Sequence, residues 1–288
     1  MALDRTLRDA IYGLAVGDAF GVPYEFKQRG TFHAEGTMES GTRHIPAGTF
    51  SDDTSMTLAT CDSLRVHNGK IKPDDMLMRF RGWRNNGAYA VNHFAFDIGI
   101  TTANALSEGK GCDGFYDNGN GSLMRIIPLA FVPNVKDKDI ETVSAITHAH
   151  EISKRGCVIY VRFAQDLLSG TSIKDAIAKL KADEPYNRLT EVPHLPLEEI
   201  DSDGFVVSSL EAALWALSHT DNYADCILTA VNMGFDTDTT AAIAGGCAGI
   251  VYGFDAIPTE WIETLRGKDI IETVISSSTQ DVYKKLLK

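Results

Sequence analysis

An all-α fold is predicted, and three observations predict it. Apolar residues recur at spacings of three and four through most of the chain. Alternating β-branched stretches closed by hairpin dipeptides are nearly absent. The short apolar runs, such as Cys157 to Val161, sit inside longer helical patterns.

Taken in order, the elements follow from that periodicity. Leu7, Ala10, Ile11, Leu14 and Ala15 mark one face of a first helix. The stretches 21–50, 110–122 and 182–204 each carry Gly, Pro or Asn too densely for regular structure. Met56, Ala59 and Leu64 place a second helix after the first of these loops. Val206, Leu210, Ala213, Leu214 and Leu217 define a later one, which also carries Glu211 and Trp215. A helix of small residues runs from Ala241 to Val251. None of the loops has the composition of a flexible linker, and there is no internal repeat or low-complexity tract. One domain over residues 1–288 is expected, with three functional loops on a helical scaffold.

Composition narrows the function. In 288 residues, 44% are hydrophobic and 23% charged, which is globular. A net charge of −12 would repel a nucleic-acid backbone or an anionic membrane at long range, so neither is expected as the main partner. A phosphate-bearing ligand would need local help, from divalent cations or exposed backbone amides. The five cysteines, Cys61, Cys112, Cys157, Cys226 and Cys247, are scattered and never spaced C-x-x-C, so no disulfide framework or thiolate metal site is indicated and a reducing cytoplasm fits. Asp4, Asp9 and Asp18 interrupt the N-terminal apolar pattern, which is unlike a leader. No run of about 18 apolar residues occurs, so no membrane span is expected.

Two acidic clusters each stand where a helix begins: Ser51-Asp52-Asp53-Thr54, and Asp236-Thr237-Asp238-Thr239-Thr240. Carboxylates and hydroxyls are hard oxygen ligands that favour Mg²⁺, Mn²⁺ or Ca²⁺ over zinc. Four aspartates brought together would balance two divalent cations. For either cluster alone, Ser51 or Thr237 could instead be a helix cap with acids in the first turn. Together they exceed what capping needs, because unpaired carboxylates held close repel one another. An EF-hand is excluded by Thr240, Ala241 and Cys247 at the loop positions that require an oxygen ligand, Gly and Glu. The string Asp236 to Thr240 also fits the D-x-D-x-T motif of haloacid-dehalogenase-type phosphatases. That motif follows a buried strand, and residues 230–234 make a poor one.

Six ordered blocks then resemble the ADP-ribosylglycohydrolase family: Gly13 to Glu25, Ser51 to Met56, Phe96 to Gly99 with Thr101-Thr102, Gly119 to Arg125, Thr147 to His150, and Asn232 to Ala242. The resemblance implies a single compact orthogonal helical bundle of that type, with a binuclear site for two divalent cations, Mg²⁺ or Mn²⁺. It places the metal ligands at Ser51, Asp52, Asp53, Asp236, Asp238 and Thr239, with Ser51 standing where the family usually has Thr. It also implies that Gly119, Asn120, Gly121, Ser122 and Met124 form a loop holding the diphosphate and distal ribose of ADP-ribose, whose glycines allow close backbone approach. His148 resembles a position lining that pocket. Phe115 and Tyr116 are close enough in sequence to stack on adenine, although an aromatic in a loop often merely packs. Glu25 matches an acid near the scissile bond, and Asp97 one found in bacterial enzymes acting on arginine linkages. His150 reads as a partner for some other group.

The function implied is hydrolysis of the glycosidic bond between ADP-ribose and a modified protein side chain, arginine before serine. Such cleavage passes through an oxocarbenium-like state. Two cations would fix the ribose hydroxyls and acidify water, with Asp53 and Asp238 also helping to activate it and Glu25 or Asp97 placing the leaving group. The alternative is a non-catalytic ADP-ribose binder or crystallin-like structural protein, which would have no reason to keep four aspartates.

Overall fold

The computed structural model describes residues 3, 5–41, 44–180 and 183–275; residue 182, where the third loop begins, lies outside the described residues. Among the described residues, twelve α-helices are joined by turns and short 3-10 segments, and β-pairing is limited to isolated bridges at Cys112–His148 and Gly119–Phe205.

Helix α1 (Leu7–Gly21) starts where the Asp9 carboxylate accepts the Thr6 amide at 2.7 Å, with a second oxygen of Asp9 receiving the Phe254 amide at 2.8 Å. An acid in the first turn suits the free amides and the helix dipole. Helix α10 (Thr237–Tyr252) is the small-residue helix of the sequence, and it is buried from Thr237 to Ile250. The two pack antiparallel at backbone contact. A Cβ on Gly13 would stand 2.3 Å from the Gly245 carbonyl oxygen, one on Gly17 2.2 Å from that of Ala241, and one on Gly21 2.3 Å from the Asp238 Cα. Glycine at every fourth position gives α1 a bare ridge, so the C-terminal end of α1 is pressed onto the acidic start of α10.

The remaining helices surround this pair. Helices α6 (Glu151–Leu168), α8 (Val206–Ser218) and α9 (Tyr223–Asn232) pack on α10, while α2 (Asp52–Val66) and α12 (Lys268–Ile275) pack on α1. Two buried tyrosines place their hydroxyls on backbone carbonyls of the central pair: Tyr223 donates to Gly13 at 2.6 Å and Tyr160 to Ile243 at 2.7 Å. Helices α3 (Pro73–Asn86), α4 (Ile100–Glu108), α5 (Asp137–Ser144), α7 (Ile173–Ala178) and α11 (Thr259–Thr264) complete the bundle.

Every apolar position used above to mark the first, second and later helices is buried in one cluster. The three loops are largely irregular, with 3-10 turns at Val22–Tyr24, Asn120–Ser122, Val192–His194 and Leu197–Glu199. The five cysteines are free. Among the described residues, no helix is long and apolar enough to cross a membrane.

Candidate active site

Asp18 organises the site from below. It is fully buried on α1, and its carboxylate accepts from the Ser51 amide and the Thr54 amide, both at 2.9 Å, and from the Thr54 hydroxyl at 2.5 Å. Those bonds pin the start of α2 to α1. Ser51 is then the N-cap: its hydroxyl oxygen accepts the Asp53 amide at 3.3 Å and lies 3.2 Å from Asp53 Oδ2, to which it donates. The capping reading of this cluster is therefore geometrically real, yet the cap itself uses only the serine oxygen and needs neither carboxylate.

At the start of α10 the N-cap is Asp236, one residue before the threonine that a capping reading would choose, and its carboxylate makes no capping bond. Instead Asp236 Oδ2 accepts from Asn120 Nδ2 at 2.8 Å, and Thr237 donates to the Gly21 carbonyl at 2.8 Å. The Thr239 hydroxyl donates to Asp53 Oδ2 at 3.4 Å, so the two clusters, far apart in sequence, meet in space. Glu25 and Asp97 join them: one carboxylate oxygen each of Glu25, Asp97 and Asp238 lie within 4.8 Å of one another.

Such crowding has an electrostatic signature. Burial first, and the neighbouring negative charges second, push the carboxyls of Asp52, Asp53 and Asp238 well above the usual carboxylate range. Asp236 is also pushed up by burial, against the hydrogen bond from Asn120. Asp18 is raised to about 6 by burial, and Glu25 to about 9 by burial and then Asp97. Asp53 Oδ1 and Asp238 Oδ1 are buried with no hydrogen-bond partner. A buried carboxylate oxygen without a donor is costly, and a hard cation is the partner that removes both the repulsion and the orphaned oxygens. The residues present thus fit divalent cations of the Mg²⁺ or Mn²⁺ kind.

The acids open onto a cavity of about 390 Å³. Glu25, Asp52, Asp97, Asp236 and Thr239 line one part of it; Gly119, Asn120, Gly121, Met124 and His148 line another. Ser51, Asp53 and Asp238 are buried just beneath. Ser122 is also buried, its hydroxyl accepting from Ser144 at 2.9 Å, so its side chain faces the core rather than the cavity. Phe115 and Tyr116, 71% and 93% exposed, line a neighbouring cavity of about 360 Å³ that shares Gly119 and Gly204 with the first. Tyr116 therefore belongs to this adjoining space. His148 is buried, and desolvation followed by the nearby Arg125 cation lowers its imidazole to about 3, so it is neutral.

Other polar residues take structural roles. His150 caps α6, accepting the Ile152 amide at 3.3 Å, and buried Glu211 holds Arg188 at 2.8 and 2.6 Å. The sequence reading did not single out Asp18, Arg125 or the link from Asn120 to Asp236. A signal existed for the first, a carboxylate set within the apolar run that follows the first turn of its helix, which burial turns into an anchor.

Comparison with known proteins agrees with this geometry. A profile of the family described as ADP-ribosylglycohydrolase matches residues 2–286. The chain is 35% identical over 277 residues to the ADP-ribosylarginine hydrolase Tri1 of Pseudomonas putida (strain GB-1), covering 91% of this chain and 74% of that protein. It is 31% identical over 281 residues to the ADP-ribosyl-[dinitrogen reductase] glycohydrolase of Rhodospirillum rubrum, covering 91% and 90%. A solved structure described as an ADP-ribosylglycohydrolase-related protein complex superposes with a TM-score of 0.81 at 27% identity, covering 96% of each chain.

Proposed function

The chain belongs to the ADP-ribosylglycohydrolase family, and from that premise we propose that it hydrolyses the bond between ADP-ribose and a protein side chain, preferring arginine to serine, with two divalent cations. The observation that carries this reading is the meeting of acids from α2, α10 and two loops, with buried carboxylate oxygens left without donors.

Asp52, Asp53, Asp236 and Asp238, with Ser51 and Thr239, would hold the cations. When bound they supply Lewis acidity at the distal ribose, where charge develops during glycosidic cleavage. The protein's own groups do the rest. Asn120 keeps Asp236 turned toward the cluster. Gly119 and Gly121 allow the backbone to approach the diphosphate, and the Phe115–Tyr116 cavity beside them is of a character to take adenine. Glu25 and Asp97 stand at the same end as the metal ligands, where the leaving group would lie.

The arginine preference rests on Asp97. A guanidinium is cationic and planar, and a carboxylate can pair with it through two hydrogen bonds; a serine hydroxyl offers no such match. Phe26 and Ile100, 77% and 82% exposed on the cavity wall near Asp97, add apolar surface for the alkyl part of that side chain. The relative from Pseudomonas putida bears a name for the arginine reaction, which supports the choice. The test is release of ADP-ribose from arginine-linked and serine-linked peptides, with and without a chelator. Arginine-linked release that disappears with chelator and returns with Mg²⁺ or Mn²⁺ is expected; chelator-insensitive release, or faster release from serine, overturns the respective part.

A further inference from the structure

His148 stands at the end of a buried chain of hydrogen bonds. Arg125, itself fully buried, donates Nη1 to the Gly121 carbonyl and Nη2 to Thr147 Oγ1, the latter at 2.9 Å. Thr147 Oγ1 lies 2.8 Å from His148 Nδ1. A guanidinium can only donate, so the threonine oxygen accepts from it, and the hydroxyl proton must go to an acceptor. Among the described residues, His148 Nδ1 is the acceptor the structure offers that proton. In a neutral imidazole one nitrogen accepts and the other carries hydrogen, which places the hydrogen on Nε2. That edge of the ring faces the glycine loop: a Cβ on Gly119 would be 3.5 Å from Nε2, and one on Gly121 3.4 Å.

We infer that Arg125, acting through Thr147, fixes His148 as its Nε2–H tautomer, so that the ring presents a hydrogen-bond donor to the ligand oxygens in the cavity. Phosphate oxygens only accept, and the opposite tautomer would set a lone pair against them. Arg125 is a positioning residue. It binds the other side of the same corner through the Gly121 carbonyl, so one buried cation sets both the loop and the donor. The benefit to the ligand rests on the reading of the cavity as an ADP-ribose site; the tautomer does not.

The test is a long-range ¹H–¹⁵N spectrum of the full chain labelled at histidine, with His148 assigned by its loss in His148→Gln. The expected result is hydrogen on Nε2 in the ligand-free protein. Thr147→Val, which keeps the volume and removes the hydroxyl, should shift hydrogen toward Nδ1 and weaken binding of the probe ADP-ribose about tenfold; Thr147→Ser should restore both. Hydrogen on Nδ1 in the unaltered protein overturns the inference, as does a Thr147→Val variant with unchanged tautomer. An Nε2–H ring in a protein that does not bind ADP-ribose would instead overturn the reading of the cavity and leave the tautomer assignment standing.

Discussion

Asp97 sits in the left-handed backbone region, with φ of 67°, in the loop between α3 and α4. Non-glycine residues hold that conformation at a cost of order 1–3 kcal/mol, although aspartate tolerates it better than most, and here it aims a carboxylate at Glu25 and Asp238. Losing one partner of a desolvated charged pair costs about 2–5 kcal/mol, so Asp97→Asn is expected to slow turnover of arginine-linked substrate by roughly thirty-fold or more. If the site holds two cations as proposed, both should remain in this variant, counted by metal analysis of the dialysed protein; a lost cation would make Asp97 a ligand. His148 gives a second expectation. Its folded-state value of about 3 lies below the unfolded 6.5, so the folded protein binds fewer protons, and stability falls as pH drops through 6.5. At pH 5 that difference amounts to about 2 kcal/mol. Urea titrations at pH 7 and pH 5 should show this loss in the unaltered protein relative to His148→Gln, whose amide does not titrate. At this scale the acid clusters were legible because two carboxylates side by side exceed any capping need. Asp18 was not, since one acid in a helix is ordinary until its three donors are seen. The side chain of Ser122 points to the core although its neighbours face the cavity, a matter of local 3-10 geometry that spacing along the chain does not carry.

The contact between α1 and α10 is set by what α1 lacks. A methyl at Gly17 would meet the Ala241 carbonyl carbon as well as its oxygen, at 2.7 and 2.2 Å, and backbone cannot rotate aside as a side chain can. Forced overpacking costs about 1–3 kcal/mol, and more where the neighbour is rigid. Gly17→Ala should therefore lose at least about 3 kcal/mol in urea denaturation, whereas Gly36→Ala, with nothing within 4 Å of its new Cβ, should be near neutral. A Gly17→Ala protein of unchanged stability would mean the helices are not so close. Helices with an apolar face, such as α8, were readable from periodicity alone. The start of α2 was harder, because Asp52, Asp53, Thr54, Ser55, Thr57 and Thr60 are all buried, and a hydrophobic pattern does not announce a buried polar turn. The glycine ridge was visible in the sequence as spacing, but its partner was not, since residues 13 and 245 are joined only by the fold.

The folded molecule gathers negative charge that the unfolded chain disperses. Asp18 is raised from 3.8 to about 6 and Glu25 from 4.5 to about 9, and the four aspartates at the helix starts shift the same way. Groups whose folded value lies above the unfolded one bind more protons when folded. Their contribution is favourable in acid and is lost as pH rises from about 4 to about 9. The chelated protein should therefore become less stable across that window, opposite in sign to the His148 effect below 6.5. Under the proposed function divalent cations would replace those protons, so their stabilising effect should be small near pH 5.5 and grow toward pH 8. A site at about 100 times its dissociation constant stabilises by about 2.7 kcal/mol. In a chain of this size that raises the midpoint by roughly 5 °C for each cation. With one continuous buried cluster, a single cooperative transition is expected, its calorimetric and van't Hoff enthalpies equal. Scanning calorimetry with chelator, with Mg²⁺ and with Mn²⁺ at both pH values reads all of this at once. A cation effect that is absent, or equal at pH 5.5 and pH 8, would show that the gathered carboxylates are relieved by something other than metal, and the metal-dependent mechanism would fall with it.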